Sequence, residues 1–151
     1  MIQLYVSSIS SVIAHKPSSL IPEEVISDDS APVATGYAES KYVSEFLLDH
    51  ASRKLSLNTA IARVGQVAGP SQSSGTRNKS EWLPSLVLSS LHLRHIPDSV
   101  GTRLNNIDWV PVDKLAEVIV ELAFSRQDPS GVPSSELRAH VFHPLNLHPT
   151  T

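Results

Sequence analysis

The residues best suited to do chemistry lie in the first third of the chain: a tyrosine, a lysine and a run of serines. Tyr37 and Lys41 stand four apart where helical periodicity begins, so their side chains share one helix face, one turn apart. An ammonium held close to a phenol favours the phenolate, which eases proton transfer to a developing alkoxide. Spacing alone also fits a solvated lysine beside a half-buried tyrosine, but the serines upstream favour the chemical interpretation.

Those serines follow a short apolar segment at the start of the chain. Ile2–Val6 is β-favouring and runs directly into four serines between positions 7 and 11. We therefore expect a buried parallel strand that ends in a polar loop. Ligands of α/β sheets bind at the carboxyl ends of such strands. A hydroxyl in this loop could fix a carbonyl beside the Tyr37 phenol.

Strand-like and helix-like segments alternate along the rest of the chain. A proline-containing connection over residues 15–35 precedes them. The predicted elements are a helix from Gly36 past Ala51, a strand Asn58–Val64, a helix from Glu81 to about His95, a strand Asn106–Val112, a helix Leu115–Phe124, a turn with Pro129, Gly131 and Pro133, and a strand Ala139–Phe142. Ser80 and Asp113 are predicted N-caps. This alternation predicts an α/β fold with a mostly parallel sheet and crossover helices.

Composition excludes several other classes of function. The chain has 151 residues, a net charge of −3 and no cysteine, so disulfides, thiolate metal sites and cysteine nucleophiles are excluded. The charge gives no reason to expect nucleic acid as a partner, and no segment fits a secretory signal or a membrane span. The seven histidines lack metal-site spacing, and no Gly-x-Ser-x-Gly elbow is present. The expected setting is cytoplasmic.

Six segments carry a resemblance to a known family. Three resemble successive motifs of the extended short-chain dehydrogenase/reductases, and they are Tyr5–Val12, Gly36–Lys41 and Ala62–Pro70. Three more resemble the C-terminal thioester reductase domains, NAD(P)-binding and male-sterility-like, of nonribosomal-peptide-synthetase-like enzymes and carboxylic acid reductases, fungal examples above all. These are Asn78–Pro84, Ile107–Asp113 and Asn146–Thr150. The resemblance thus covers nearly the whole chain.

The resemblance implies a partial Rossmann-like domain over residues 1–151, with flanking helices and part of a C-terminal substrate-binding region. Residues 1–70 would form the C-terminal part of the Rossmann core, and 71–151 the substrate side and the last core elements. The family's Gly-rich phosphate-binding turn has no match in this sequence, so we expect a fragment of a larger reductase. The strand at Ile2–Val6 would then expose an apolar edge.

The same resemblance implies roles for individual residues. Tyr37 would donate the proton, and Lys41 would be its electrostatic partner and contact the nicotinamide ribose. Ser8, with Ser10 second, would orient the carbonyl. The cofactor-binding residues would be Tyr37, Lys41, Arg63, Val64, Gly65 and Gln66, with Gly69 nearby; the substrate-side residues would be Ser10, Trp82, Asp108 and Asp113. Packing for Trp82 and capping for Asp113 stay open as alternatives.

The implied reaction is NADPH-dependent reduction of an acyl thioester, held on a phosphopantetheine-bearing carrier domain of the same polypeptide, to an aldehyde. Further reduction to an alcohol stays open. One alternative keeps the fold and changes the substrate, as in a sugar-nucleotide epimerase or a fatty acyl reductase. The other is a non-catalytic remnant that binds a partner or carrier protein.

Overall fold

The computed structural model describes residues 2–16, 20–72, 74–76, 78–101, 107–124, 137–146 and 148. The strands are β1 Gln3–Ser8, β2 Thr59–Val64, β3 Val67–Ala68, β4 Val110–Pro111 and β5 His140–Phe142. The helices are α1 Gly36–Leu55, α2 Trp82–Leu93 and α3 Val112–Phe124, and a 3-10 turn, Ile9–Ser11, follows β1. The turn predicted around Gly131 lies outside the described residues.

The strands form two parallel sheets. The larger has the order β1-β2-β5 and the smaller pairs β3 with β4. One register row crosses the larger sheet from Tyr5 through Ile61 to Val141. Because paired residues of neighbouring strands point to the same face, this row forms a continuous apolar strip. The predicted mostly parallel α/β architecture is therefore confirmed.

Helix α1 covers the face of the sheet that carries this strip. Its N-cap is Thr35, whose hydroxyl oxygen accepts from the Ala38 amide, and it ends at Ser56 in the left-handed conformation. Leu48 of α1 packs against the cluster of Ile61, Ala139 and Val141. The connection before the helix packs on it as well, through a second cluster of Val12, Ile26, Ala31 and Tyr42. The long connection therefore forms part of the core around α1.

Strand β1 lies at an edge of the described three-stranded sheet. Its Val6 side chain is 44% exposed, whereas Ala60, Ile61 and Ala62 of β2 are fully buried. The expectation of a buried strand is therefore wrong for β1, and the expectation of an exposed apolar edge is confirmed within the described residues. The strand also runs two residues further than predicted, to Ser8.

Two predicted helix caps are wrong. The N-cap of α2 is Glu81 without a side-chain capping bond, because Ser80 instead folds back and donates its amide to Asn78. Asp113 lies inside the first turn of α3, and its carboxylate accepts from Ser71. The predicted strand ending at Val112 shrinks to β4, since α3 begins at Val112 itself.

Helix α2 differs from α1 in how little of it is covered. None of its residues is buried, and Val87 and Leu91 are exposed. Among the helices in the described ranges, α2 included, none is long and apolar enough to cross a membrane.

Candidate active site

The serine turn at the end of β1 holds Ser8 in a defined hydrogen-bonding state. The Ser8 hydroxyl oxygen accepts from the Ser10 hydroxyl at 3.0 Å and from the Ser10 amide at 3.3 Å. The Ser11 hydroxyl donates to the Ser8 carbonyl oxygen at 2.7 Å. A hydroxyl that accepts in this way keeps its own proton to donate. Ser8 is therefore set up as a donor to a ligand oxygen, while the Ser10 proton is already used.

Helix α1 brings the tyrosine and the lysine to the same strand. Tyr37 lies in its first turn and is 60% exposed. One turn later, the Lys41 ammonium lies 5.7 Å from the centre of the Tyr37 ring and 4.9 Å from that of Tyr5. It donates to the Val6 carbonyl oxygen at 2.9 Å. The predicted pairing of Tyr37 with Lys41 on one face is therefore confirmed, and Lys41 ties that face to β1.

The end of β2 runs beside the serine turn. Ser8 and Val64 are register partners, so Gly65 and Gln66 follow at the same edge of the sheet as the serines. This placement brings the segment Val64–Gln66 next to β1, where sequence analysis expected a cofactor. Its role as a cofactor-binding segment stays a prediction.

Arg63 has a different environment, since its guanidinium is completely buried. It donates to both carboxylate oxygens of Glu45, with a shortest distance of 2.7 Å, and to the carbonyl oxygens of Pro22 and Glu24. It also donates to the His143 imidazole at 3.2 Å. With its side chain used inside the protein, only the Arg63 backbone is left to meet a cofactor.

This buried network has electrostatic consequences for His143. Burial lowers the pKa of its imidazole from 6.5, and the neighbouring Arg63 guanidinium lowers that pKa further. A guanidinium can only donate, so the His143 Nε2 atom that it contacts is an unprotonated acceptor. The His143 imidazole is therefore neutral and lies next to the Arg63 guanidinium.

The Glu45 carboxylate also accepts from the serine turn. Its Oε1 atom receives a hydrogen bond from the Ser7 hydroxyl at 2.5 Å. It also lies 2.8 Å from the Ser11 hydroxyl, whose single proton is shared between Glu45 and the Ser8 carbonyl oxygen. Ser7 and Ser11 were predicted only as members of the serine cluster, and no role was predicted for Glu45. One signal was available: Glu45 continues the four-residue spacing of Tyr37 and Lys41 along α1.

Two of the predicted substrate-side residues, Trp82 and Asp108, adjoin Trp109. The Trp82 indole donates to the Gln66 side-chain oxygen at 2.9 Å and meets Trp109 edge-to-face at 5.7 Å. Asp108 precedes Trp109 and is exposed. The structure thus connects Trp82 to the end of the segment Val64–Gln66 through the Gln66 side chain. The sequence did not indicate this contact.

Asp113 has a different partner, Ser71. Its carboxylate accepts from the Ser71 hydroxyl at 2.6 Å and from the Ser71 amide at 3.0 Å. The Ser71 hydroxyl bond is the main reason why the Asp113 pKa is lowered. We therefore assign to Asp113 the role of attaching α3 to the loop after β3.

Among the described residues, no group of three or more His, Asp or Glu side chains could hold a metal ion.

Comparison with known proteins places this arrangement in a family. A family model described as Male sterility protein, a class of NAD-binding domains, matches residues 3–119. A carboxylic acid reductase of Neurospora crassa is 38% identical over 98% of this chain. The adenylate-forming reductase Nps10 of Heterobasidion annosum is 38% identical over 68% of it. The chain spans only 14% and 9% of these two proteins.

Among solved structures, the terminal R domain from the myxalamid PKS-NRPS biosynthetic pathway superposes with a TM-score of 0.73. It is 28% identical and covers 99% of this chain, which in turn spans 34% of that domain. The fold is accordingly Rossmann-like, with the parallel sheet and flanking helices of short-chain dehydrogenase-type reductases. The chain therefore belongs to the Male sterility protein family of NAD-binding reductase domains.

Proposed function

We propose that this chain supplies the catalytic residues of a cytoplasmic, NADPH-dependent thioester reductase. The substrate is an acyl group held as a thioester on the phosphopantetheine arm of a carrier domain, and the product is an aldehyde. The proposed catalytic residues are Ser8, Tyr37 and Lys41. The names of the related proteins, a carboxylic acid reductase and an adenylate-forming reductase, support this reaction class.

One observation carries the proposal: Lys41 joins the Tyr37 helix to the strand that ends in Ser8. Its ammonium is bonded to the Val6 carbonyl oxygen and lies beside the Tyr37 ring. The phenol, the ammonium and the serine hydroxyl are therefore carried by two elements that Lys41 joins, which supports the positioning that acid catalysis on a bound carbonyl requires.

The residues present fit a nicotinamide cofactor. An ammonium has three N–H donors, and Val6 takes one from Lys41, which leaves two for ribose hydroxyls. The Tyr37 side chain is exposed on the same helix face, so a bound ligand can reach it. When bound, a reduced nicotinamide supplies a hydride to the carbonyl carbon.

The protein's own part in the reaction is to hold the carbonyl oxygen and deliver a proton. The Ser8 and Tyr37 hydroxyls donate to that oxygen as negative charge develops on it, and the Lys41 ammonium stabilises the phenolate that proton transfer leaves on Tyr37. The hemithioacetal then collapses: its hydroxyl proton returns to the Tyr37 phenolate, the C–S bond breaks to give the aldehyde, and the carrier thiolate takes up one proton from solvent. One thioester, one NADPH and one proton yield one aldehyde, one thiol and one NADP⁺.

The substrate side of the proposal rests on the contacts of Gln66. Gln66 follows β2 at the serine edge. Trp82 is hydrogen-bonded to it and meets Trp109 edge-to-face. We propose that this indole pair, with Ser10 and the exposed Asp108, borders the acyl group. The family supports a nicotinamide cofactor, and the choice of NADPH over NADH is part of the proposal.

The test is a reductase assay of the full gene product that carries these residues. An acyl-S-pantetheine thioester is supplied with NADPH or with NADH, and aldehyde and alcohol are detected by mass spectrometry. We expect thioester-dependent oxidation of NADPH, and we expect Tyr37→Phe to lower kcat by about 10²- to 10⁴-fold, the usual range for a lost general acid.

Tyr42→Phe is the matched control, because it removes a phenol from the same helix. That hydroxyl donates to the Asp29 carboxylate at 3.3 Å, and the Tyr42 ring belongs to the core cluster with Val12, so this variant should keep its activity. Two results would refute the proposal: full activity in Tyr37→Phe, or NADPH binding without any oxidation when thioester is added.

A further inference from the structure

Glu45 is the residue through which the serine turn is fastened to the catalytic helix. Its carboxylate is 1% exposed. The Oε1 atom accepts from the hydroxyls of Ser7 and Ser11, which flank Ser8 on either side. Because both hydrogen bonds end on one oxygen, the segment that contains Ser8 is held at two points against α1.

Glu45 also belongs to the same helix row as the proposed acid. It lies one turn after Lys41 and two turns after Tyr37, and residues four apart share a helix face. A single row of α1 therefore carries the phenol, the ammonium and the carboxylate that anchors the serine turn. Movement of that carboxylate would change the distance between Ser8 and Tyr37.

Arg63 makes this anchor possible. A carboxylate that is buried away from water needs a cation and a full set of hydrogen bonds. The buried Arg63 guanidinium donates to both oxygens of Glu45. The same guanidinium bonds the carbonyl oxygens of Pro22 and Glu24, so the connection that covers α1 closes the network. Glu45 is thus fixed from the helix, from β2 and from the connection.

We propose that Glu45 is a positioning residue for catalysis. It fixes the position of the Ser8 hydroxyl relative to Tyr37 by accepting hydrogen bonds from Ser7 and Ser11. This inference rests on the proposed reductase function for its kinetic consequence. Its structural consequence is independent of that function: the serine turn should become more mobile when its hydrogen bonds to Glu45 are removed.

The decisive variant is the double substitution Ser7→Ala/Ser11→Ala, because it removes both donors to Glu45, together with the Ser11 bond to the Ser8 carbonyl oxygen, and leaves the Glu45–Arg63 ion pair intact. We expect kcat for thioester reduction to fall by about 10²-fold, the size expected from misplacing a catalytic group. The KM for NADPH should not change, since neither serine is a proposed cofactor contact. Glu45→Gln should lower kcat in the same way.

Asp49→Asn is the matched control. Asp49 lies one turn beyond Glu45 and is also buried. It pairs with Arg53 of the same helix and accepts from the Ala139 amide instead of from the serine turn. It should lose stability and keep kcat. Equal loss of kcat in the control, or an unchanged kcat in the serine double variant, would overturn the proposal.

Amide hydrogen exchange separates this inference from the reductase assignment. The amides of Val12 and Ile13 donate to the Ile9 carbonyl oxygen, and that of Val33 donates to Ser10. All three should exchange faster in Glu45→Gln and in the serine double variant, and not in Asp49→Asn. If the wild-type protein reduces no thioester, the reductase proposal fails while this measurement still decides the role of Glu45; unchanged exchange refutes it.

Discussion

The Lys41 ammonium donates to the Val6 carbonyl oxygen at 2.9 Å, so a helix side chain is bonded to the main chain of the edge strand β1. The same ammonium lies within reach of the Tyr5 and Tyr37 rings, where a cation–π attraction adds about 0.5–1 kcal/mol at an exposed site. Its position is therefore set by three partners that span both elements.

Two replacements of Lys41 should distinguish the effect of its charge from the effect of its hydrogen-bond geometry. Lys41→Met removes the ammonium, and we expect kcat/KM for the proposed reduction to fall by about 10²- to 10⁴-fold. Lys41→Arg keeps the charge but spreads it over a planar fork that does not match the single Val6 acceptor, so it should recover only part of the loss. Steady-state kinetics check this; wild-type kcat/KM in Lys41→Met would contradict it.

Trp82→Phe tests the connection between α2 and the segment after β2. The substitution keeps a ring against Trp109 and removes the hydrogen bond to the Gln66 oxygen. We expect a loss of about 0.5–1.5 kcal/mol of unfolding free energy, together with a higher KM for the acyl thioester. Trp82→Ala should cost more, because the aromatic contact is lost as well.

A urea titration of the three proteins, with KM measured on each, gives the comparison for Trp82. An unchanged KM in both variants would assign Trp82 to packing alone, which is the alternative that sequence analysis left open.

Arg63→Met should be strongly destabilising. It leaves the buried Glu45 carboxylate without its cation, and breaking one side of a buried pair costs about 3–5 kcal/mol. The double variant Arg63→Met/Glu45→Gln should recover part of that loss, because no uncompensated charge is left. Urea unfolding measures both proteins.

The control for Arg63 is Lys114→Met. Lys114 pairs with Glu117 on exposed surface of α3, where an ion pair contributes only about 0–1 kcal/mol. A loss in Arg63→Met no larger than this control would show that water reaches the Glu45 carboxylate.

Local features of the sequence were sufficient to predict α1 and the ends of β2 and β5. The helix begins where the apolar periodicity begins, since Thr35 caps it, and the serines follow an apolar segment that pairs with β2. The Tyr37 and Lys41 pairing needs only helix geometry. The parts of the site that depend on one element were therefore predictable.

The contacts between elements were not predictable. Glu45 and Arg63 are 18 residues apart and meet because α1 packs on β2. The connection over residues 20–35 then covers the pair. An amphipathic pattern gives Glu45 only a polar position, and it cannot show that the connection buries it. Likewise, nothing local indicates that Trp82 bonds Gln66, which lies 16 positions earlier in the chain.

The pH dependence of stability should contain a contribution from His143. Its pKa is lowered below 6.5 by burial and by Arg63, while Glu23 and Glu45 oppose the shift. On acidification the unfolded chain therefore takes up this proton first, near pH 6.5, so the free energy of unfolding decreases. The decrease ends once the pH falls below the folded-state pKa, because both states are then protonated.

We accordingly expect the unfolding free energy to fall as the pH is lowered from about 6.5, a range that is separate from that of Asp28, whose pKa is about 2. His143→Gln keeps an acceptor for Arg63 and removes the titrating group, so the slope in this range should flatten. His140→Gln is the control, since His140 is exposed on the neighbouring strand β5. Urea titrations at a series of pH values measure the slope, and an equal slope in wild type and His143→Gln would show that His143 does not cause it.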